Sequence, residues 1–282
     1  MIHGSCLCGT VRFGVDEPFE RMTHCHCSMC RKIHGTAFAT YAACAPEQVH
    51  WLQGEDAVAR FESSPRLTRS FCRHCGSVVP GIHGDHAIVP VGNLEDDPPM
   101  RMKPDAHIFA GSAAPWHVID DDLDQFDTWR QGERATPRSA VAEVTGDGAG
   151  VTGSCLCGAV AFEVSEPFKR AHYCHCSRCR KGRSAAHAAN AFTSFEGVTF
   201  TRGADNITVY KLPGAQFFSI AFCNTCGSGV PRRDASRGVA VIPLGALDDD
   251  PGRRVDSNIH AGSAAAWYPA TKSFPTFDGP PG

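Results

Sequence analysis

Two groups of three closely spaced cysteines are the residues of this chain best suited to chemistry. In the first group three cysteines fall within six residues and two cations follow: Cys25, Cys27, Cys30, Arg31 and Lys32. The second group repeats these types and spacings: Cys174, Cys176, Cys179, Arg180 and Lys181. Three thiolates can hold one Zn²⁺ and leave its fourth tetrahedral position open, which is typical of catalytic zinc. We therefore interpret each triple as a catalytic metal site.

Four further cysteines accompany each triple, as an early Cys-x-Cys pair and a later Cys-x-x-Cys pair. The first set is Cys6, Cys8, Cys72 and Cys75, and the second is Cys155, Cys157, Cys223 and Cys226. Because four thiolates complete a structural zinc site, the seven cysteines of each copy divide naturally into four plus three. The pattern predicts a closed site that ties the start of each copy to its middle, and up to two Zn²⁺ per copy.

Spacing alone leaves alternatives open for both kinds of set. The sets of four could be core thiols without metal, and the triples could be metal-free or gain a histidine as a fourth ligand. His26 and His175 stand between two cysteines, but the middle side chain of Cys-x-Cys usually points away, which favours an indirect or surface role. The remaining cysteine, Cys44, has Thr193 as its counterpart, and we expect it to be an ordinary buried thiol.

Composition narrows the class of protein. The 282 residues are 42% hydrophobic, which is enough for packed domains, and the net charge of −3 gives no basic face for nucleic acid. No long apolar run predicts a membrane span, and the first residues lack a signal-peptide pattern. We expect a cytoplasmic protein, in which 15 cysteines indicate metal binding rather than disulfides.

The whole chain is a tandem repeat, since each motif recurs about 150 residues later. We predict a first unit over residues 1–128, a polar linker over 129–149 and a second unit over 150–282, with the two units paired as a pseudo-dimer. The alternating runs at 10–15 and 159–164, with other short apolar runs between turns, indicate a mostly β fold. We expect a short helical turn to start near Arg31 and near Arg180.

Three motifs together carry a family resemblance. Gly-x-Cys-x-Cys-Gly, Cys-His-Cys-Ser-x-Cys-Arg-Lys and Phe-Cys-x-x-Cys-Gly-Ser occur in this order in both copies. The combination resembles the glutathione-dependent formaldehyde-activating enzyme family, also called the CENP-V/GFA family. The resemblance implies Mss4-like zinc-binding β units, a structural zinc at each set of four and a catalytic zinc at each triple. The family activity joins formaldehyde to glutathione, which is a carbon–sulfur lyase reaction in reverse.

Three hypotheses for function follow. The first is a zinc-dependent carbon–sulfur lyase acting on an adduct of glutathione or another small thiol, such as S-hydroxymethylglutathione, whose thiol is activated at the open site. The cations after each triple would attract substrate carboxylates, or would simply be solvated: Arg31, Lys32, Arg180 and Lys181. The second hypothesis is a non-catalytic zinc-binding module that binds a protein partner, and a weaker third is redox or formaldehyde sensing. Ser184, in place of the glycine at 35, suggests a differently shaped second pocket.

Overall fold

The structure is a computed structural model that describes residues 1–65, 67–95, 102–135, 144–268 and 270–280. Strands dominate it, and the only two α-helices in these ranges have seven residues each. Neither is long enough to cross a membrane. The predicted mostly β fold in two matching units is confirmed. The central residues of the predicted linker, 136–143, lie outside the described ranges.

The first unit contains eleven strands and one helix. The strands are β1 (Ile2–Ser5), β2 (Arg12–Val15), β3 (Arg21–Cys25), β4 (Ala39–Cys44), β5 (Val49–Gln53), β6 (Val58–Ser64), β7 (Leu67–Cys72), β8 (Gly81–His83), β9 (His86–Pro90), β10 (Ala106–Ile108) and β11 (Asp124–Phe126). Helix α1 (Ser28–His34) lies between β3 and β4.

The second unit repeats this order. Its strands are β12 (Val151–Ser154), β13 (Ala161–Val164), β14 (Arg170–Cys174), β15 (Ala188–Ser194), β16 (Val198–Arg202), β17 (Ile207–Lys211), β18 (Ser219–Cys223), β19 (Gly229–Val230), β20 (Arg232–Asp234), β21 (Val239–Pro243) and β22 (Ser257–Ile259). Helix α2 (Ser177–Arg183) lies between β14 and β15.

The sheets match between the units. Each unit opens with a three-stranded sheet, of order β1-β2-β5 in the first and β12-β13-β16 in the second. The central sheets have the orders β11-β10-β3-β4-β9-β8 and β20-β21-β15-β14-β22. The hairpin β6-β7 corresponds to β17-β18, to which β19 adds a third strand. In each central sheet the strand that ends in a triple's first cysteine pairs antiparallel with the strand after the helix.

The helices begin earlier than predicted. We expected a turn from Arg31 and from Arg180, but α1 begins at Ser28 and α2 at Ser177. For α1 the reason is a local hydrogen bond: the Cys27 side chain accepts from the Cys30 N–H at 3.4 Å and so caps the helix, whereas Cys176 makes no such bond at α2. The third cysteine of each triple therefore lies in the first turn of a helix.

The main hydrophobic core contains side chains of both units. Phe13, Phe38 and Trp116 of the first unit and Phe162 and Tyr173 of the second belong to one buried cluster. Cys44 also lies in this cluster and is fully buried, which confirms the expectation of an ordinary buried thiol. The polar linker ends on the second unit, where the Thr145 and Gly146 N–H groups donate to the Gly252 carbonyl.

Candidate metal centres

Each set of four cysteines comes together as sequence spacing predicts. In both units the four Sγ atoms lie within 4.8 Å of one another: Cys6, Cys8, Cys72 and Cys75 in the first, and Cys155, Cys157, Cys223 and Cys226 in the second. The early pair stands in the turn after the first strand, and the later pair begins at the end of a hairpin strand. The backbone N–H of Val11 donates to Cys6 Sγ at 3.3 Å, and that of Val160 to Cys155 Sγ at 3.2 Å.

The spacing of these sulfurs fits a tetrahedral metal site. Four thiolates about 2.3 Å from one ion stand about 3.8 Å apart. The Sγ atoms of Cys8 and Cys72 are 3.7 Å apart, and those of Cys157 and Cys223 are 3.8 Å apart. A disulfide would need about 2.05 Å. All of these cysteines are free thiols, so the four-cysteine clusters can hold a metal ion and are not disulfides.

A serine supports each four-cysteine cluster, and the sequence analysis assigned it no role. Ser77 Oγ accepts from the Leu7 N–H at 3.1 Å and lies 3.4 Å from Cys75 Sγ. Ser228 repeats these contacts with Leu156 and Cys226 at 3.1 and 3.3 Å. The serine thus ties the early turn to the later one. Its position in the repeated Cys-Gly-Ser ending is the signal that could have indicated this.

The triples also come together. The Sγ atoms of Cys25, Cys27 and Cys30 lie within 4.8 Å of one another, as do those of Cys174, Cys176 and Cys179. In each triple the end of a strand, the residue before a helix and the first helical turn supply one cysteine apiece. No fourth histidine, cysteine or carboxylate joins either group within the described residues. These three-cysteine clusters can therefore hold a metal ion with one coordination position left for another ligand.

One thiol of each three-cysteine cluster is held as a thiolate by its two neighbours. Hydrogen bonds from the thiols of Cys174 and Cys179 lower the pKa of Cys176 to about 2. In the first unit, the thiols of Cys25 and Cys27 hold the pKa of Cys30 well below its usual range, and the nearby Arg69 adds to this effect. A thiolate is the form of cysteine that binds metals. Each cluster thus presents one thiolate, while hydrogen bonding with Cys176 raises the pKa of Cys174 to about 12 and that with Cys27 raises the pKa of Cys25 well above its usual range, so a metal ion would displace the remaining thiol protons on binding.

The histidines between the cysteines point away from them into the interior. His26 and His175 are fully buried, so the surface role considered for them is wrong. His26 Nε2 lies 2.8 Å from His107 Nδ1, and His107 Nε2 lies 2.9 Å from Asp121. His175 Nε2 lies 3.0 Å from the side-chain oxygen of Asn258. These histidines connect each cluster to the core and are not its fourth ligand.

The second unit has a cavity of about 260 Å³ that reaches its three-cysteine cluster. Cys174 and Cys179 form part of the wall, together with the aromatic rings of Phe192 and Phe217. Four arginines also line it: Arg170, Arg183, Arg232 and Arg237. Among its described lining residues there is no aspartate or glutamate. The cavity therefore offers two cluster thiols and a strongly cationic wall to a small ligand.

In the first unit other side chains lie against the three-cysteine cluster. Arg69 is 6% exposed, and its Nη2 donates to Cys30 Sγ at 3.6 Å. Its Nη1 donates to the Tyr41 hydroxyl at 3.0 Å, and that hydroxyl lies 2.6 Å from His34 Nε2. His34 Nδ1 in turn donates to the Arg183 carbonyl of the second unit at 2.6 Å. Every polar group in this chain of contacts has a partner.

The four cations that follow the triples are placed differently from one another. Lys32 donates to the Ser154 carbonyl at 2.8 Å and lies 2.5 Å from the Asp248 carboxylate. Lys181 donates to Ser5 Oγ at 2.7 Å, so both lysines bind the opposite unit. The Arg31 Nε donates to the His26 carbonyl at 3.3 Å, and Arg180 is 8% exposed. None of the four lines the cavity, and their predicted contact with substrate carboxylates has no support from these contacts.

Comparison with known proteins agrees with the repeat. The model of the family described as glutathione-dependent formaldehyde-activating enzyme matches residues 1–112 and again 150–263. A crystal structure of a Rhodobacter sphaeroides protein is 32% identical, covering 34% of this chain and 87% of its own, with a TM-score of 0.29. No protein of curated function matches the chain. With both units matched, and each carrying the motifs described above, the chain belongs to the glutathione-dependent formaldehyde-activating enzyme family.

Proposed function

We propose that the chain is a zinc-dependent carbon–sulfur lyase that makes and breaks the adduct of formaldehyde with glutathione or another small thiol. The single observation that carries this proposal is the cavity of the second unit, which reaches a cluster of three cysteines. A ligand sulfur that enters the cavity can approach the cluster, because Cys174 and Cys179 form part of the wall. The two units are proposed to act as one pair, with the closed clusters as structural zinc sites.

Zinc is the metal that the donor set favours. Thiolate ligands select soft or borderline ions, and Zn²⁺ accepts three or four thiolates in tetrahedral geometry. Cys174, Cys176 and Cys179 would hold the ion, which supplies a position where a substrate sulfur binds as thiolate. The four-cysteine clusters have no such position and would hold structural zinc.

The proposed reaction is balanced without an oxidant or a reductant. In the synthetic direction the thiol loses its proton, its sulfur forms a bond to the formaldehyde carbon, and the aldehyde oxygen takes up a proton. In the reverse direction the hydroxyl proton leaves, the carbonyl forms again, the sulfur–carbon bond breaks with its electron pair on sulfur, and the sulfur takes up a proton.

The chain contributes positioning and charge to this reaction. The arginines attract an anionic substrate, while the Phe192 and Phe217 rings give the cavity wall apolar surface. Arg170 lies over the Phe192 ring at 4.5 Å and Arg237 over the Phe217 ring at 4.7 Å, which holds both guanidiniums at the wall.

Exchange NMR tests this proposal. Formaldehyde, a small thiol and their hydroxymethyl adduct are mixed at equilibrium, and exchange rates are measured with and without protein. We expect faster exchange in proportion to protein concentration. Exchange that stays at the protein-free rate with zinc-loaded protein, for glutathione and for smaller thiols alike, would contradict the lyase proposal and favour the non-catalytic module.

A further inference from the structure

One arginine in the wall of the second unit's cavity is buried with an unpaired Nε. Arg183 is 7% exposed, and its Nε has no hydrogen-bond partner among the described residues. The side-chain oxygen of Asn190, also in the cavity wall, has no partner either. Buried polar groups are nearly always paired in native proteins. Both residues line the cavity, and an arginine with an unused donor favours a ligand that carries acceptor atoms.

The local sequence makes room for this arginine. A Cβ atom on Gly229 would lie 1.9 Å from Arg183 Nη1, so the guanidinium occupies the place of a side chain there. The corresponding residue of the first unit is Val78, and the counterpart of Arg183 is His34. The second unit therefore combines an arginine at the end of α2 with the glycine that accommodates it, and the first unit has neither.

The charge of the cavity wall determines which class of ligand the cavity favours. Of its other arginines, Arg232 lies 3.4 Å from the Asp234 carboxylate, whereas Arg170 and Arg237 stack on aromatic rings. Because no described lining residue is acidic, a ligand's ammonium group would find no carboxylate in the wall. A carboxylate, in contrast, can receive hydrogen bonds from guanidinium groups, which bind it in matching planar geometry. The wall thus favours a ligand whose non-sulfur end is negatively charged.

The corresponding place in the first unit holds larger side chains that contact each other. Arg69 lies three residues before Cys72, as Ile220 lies three before Cys223, and Tyr41 corresponds to Asn190. The apolar Ile220 and the short Asn190 line the cavity, whereas Arg69 and Tyr41 bond to each other beside Cys30. The Arg69 guanidinium therefore already donates to Cys30 Sγ, and Arg69 and Tyr41 are larger than their counterparts Ile220 and Asn190.

We propose that the two units have different roles. The second unit binds one small thiol, and the end of this ligand opposite the sulfur is anionic and contacts Arg183. In the first unit, Arg69 and Tyr41 block the access of thiols to the three-cysteine cluster. This inference rests on the proposed thiol chemistry and adds its substrate class and its location. The cavity volume of about 260 Å³ suits a small ligand, since sites for drug-sized ligands begin at about 300 Å³.

Calorimetric titration with three small thiols tests the proposal. The purified, zinc-quantified chain is titrated without formaldehyde, under a phosphine reductant, with 3-mercaptopropionate, 2-mercaptoethanol and cysteamine. These probes have similar carbon chains and differ in charge. We expect one equivalent of 3-mercaptopropionate per chain, bound at least about 10-fold more tightly than the other two. Two equal sites per chain, or equal affinity for cysteamine, would overturn the proposal.

Variants then locate the binding site. Arg183→Met should weaken 3-mercaptopropionate binding about 10- to 100-fold, because a charge-assisted contact is lost. Arg233→Gln is the matched control: this neighbouring arginine stacks on Phe195 outside the cavity, and its replacement should leave affinity unchanged. Unchanged binding by a folded Arg183→Met would contradict the assignment. If that variant does not fold, two measurements on the unsubstituted chain still test the proposal: the number of ligands bound per chain and the relative affinities for the three thiols.

The titration and the exchange NMR measurement together distinguish a failure of this inference from a failure of the proposed function. Binding of one anionic thiol without accelerated exchange would refute the lyase activity and leave the binding site intact. Accelerated exchange with no preference among the three probes would refute the division of roles and leave the lyase activity intact.

Discussion

Replacement of one ligand in a four-cysteine cluster should destabilise the chain strongly. In Cys226→Ser the second unit keeps three of the four thiols that join the turn after β12 to the end of β18. Cys226 is fully buried, with its Sγ 3.3 Å from Ser228 Oγ. Because a structural metal is bound only in the folded state, its affinity contributes directly to folding. We expect the variant to lose this metal ion and the cross-link that the ion provides.

The size of the effect follows from the length of chain that the cluster closes. Cys157 and Cys223 are 66 residues apart, and a cross-link of that span removes loop entropy worth about 4 kcal/mol from the unfolded chain. The metal's own binding energy adds to this value. A loss of at least about 4 kcal/mol is a large part of the typical stability of a domain.

Urea unfolding followed by circular dichroism, together with metal analysis of each purified protein, measures both consequences. Cys44→Ala is the control, because Cys44 is an equally buried thiol outside the clusters. The control should keep its full metal content. A change of less than about 0.5 kcal/mol in Cys226→Ser, with metal content also unchanged, would refute the assignment of this cluster as a structural metal site.

Two further predictions concern the contact between the units and the order of metal loss. Lys32→Met should lower the free energy of unfolding by about 1–2 kcal/mol, because hydrogen bonds from a largely buried ammonium to the opposite unit are lost. Lys211→Met, at an exposed strand position, is the control, and equal effects of the two would contradict the prediction. A colorimetric chelator should remove metal from the three-cysteine clusters before the four-cysteine clusters, because they provide one protein ligand fewer. Release of all the metal in a single phase would contradict the predicted difference between the two kinds of cluster.

Much of the fold and of the clusters could be predicted from the sequence because the signals are local or repeated. Cysteine spacing identified all four clusters, since Cys-x-Cys and Cys-x-x-Cys pairs can reach one ion from short turns. Alternating runs identified strands such as β2 and β13. The start of α1 was missed because it depends on the Cys27 side chain as a cap, a role that is usually given to Ser, Thr, Asp or Asn; α2 starts equally early without a side-chain cap.

The features that could not be predicted depend on contacts between residues that are far apart in the sequence. The approach of Arg69 to Cys30 spans 39 residues, and nothing in the local sequence around either residue indicates it. Lys32 and Lys181 have the spacing of substrate-binding cations, but the packing of the units directs them to the opposite unit. The difference between the two clusters arises from a few substitutions, chiefly Tyr41 against Asn190 and Arg69 against Ile220. Their importance is visible only once the strands are placed together.

The most direct test of the account compares exchange NMR rates for two single-site variants. Cys176→Ser and Cys27→Ser change the equivalent cysteine of the second and the first three-cysteine cluster, and both leave the four-cysteine clusters intact. We predict that Cys176→Ser abolishes the protein-dependent exchange between formaldehyde, thiol and adduct, while Cys27→Ser retains most of it. Full exchange in Cys176→Ser, with the fold preserved by circular dichroism, would contradict the claim that the chemistry takes place at the second unit's cluster.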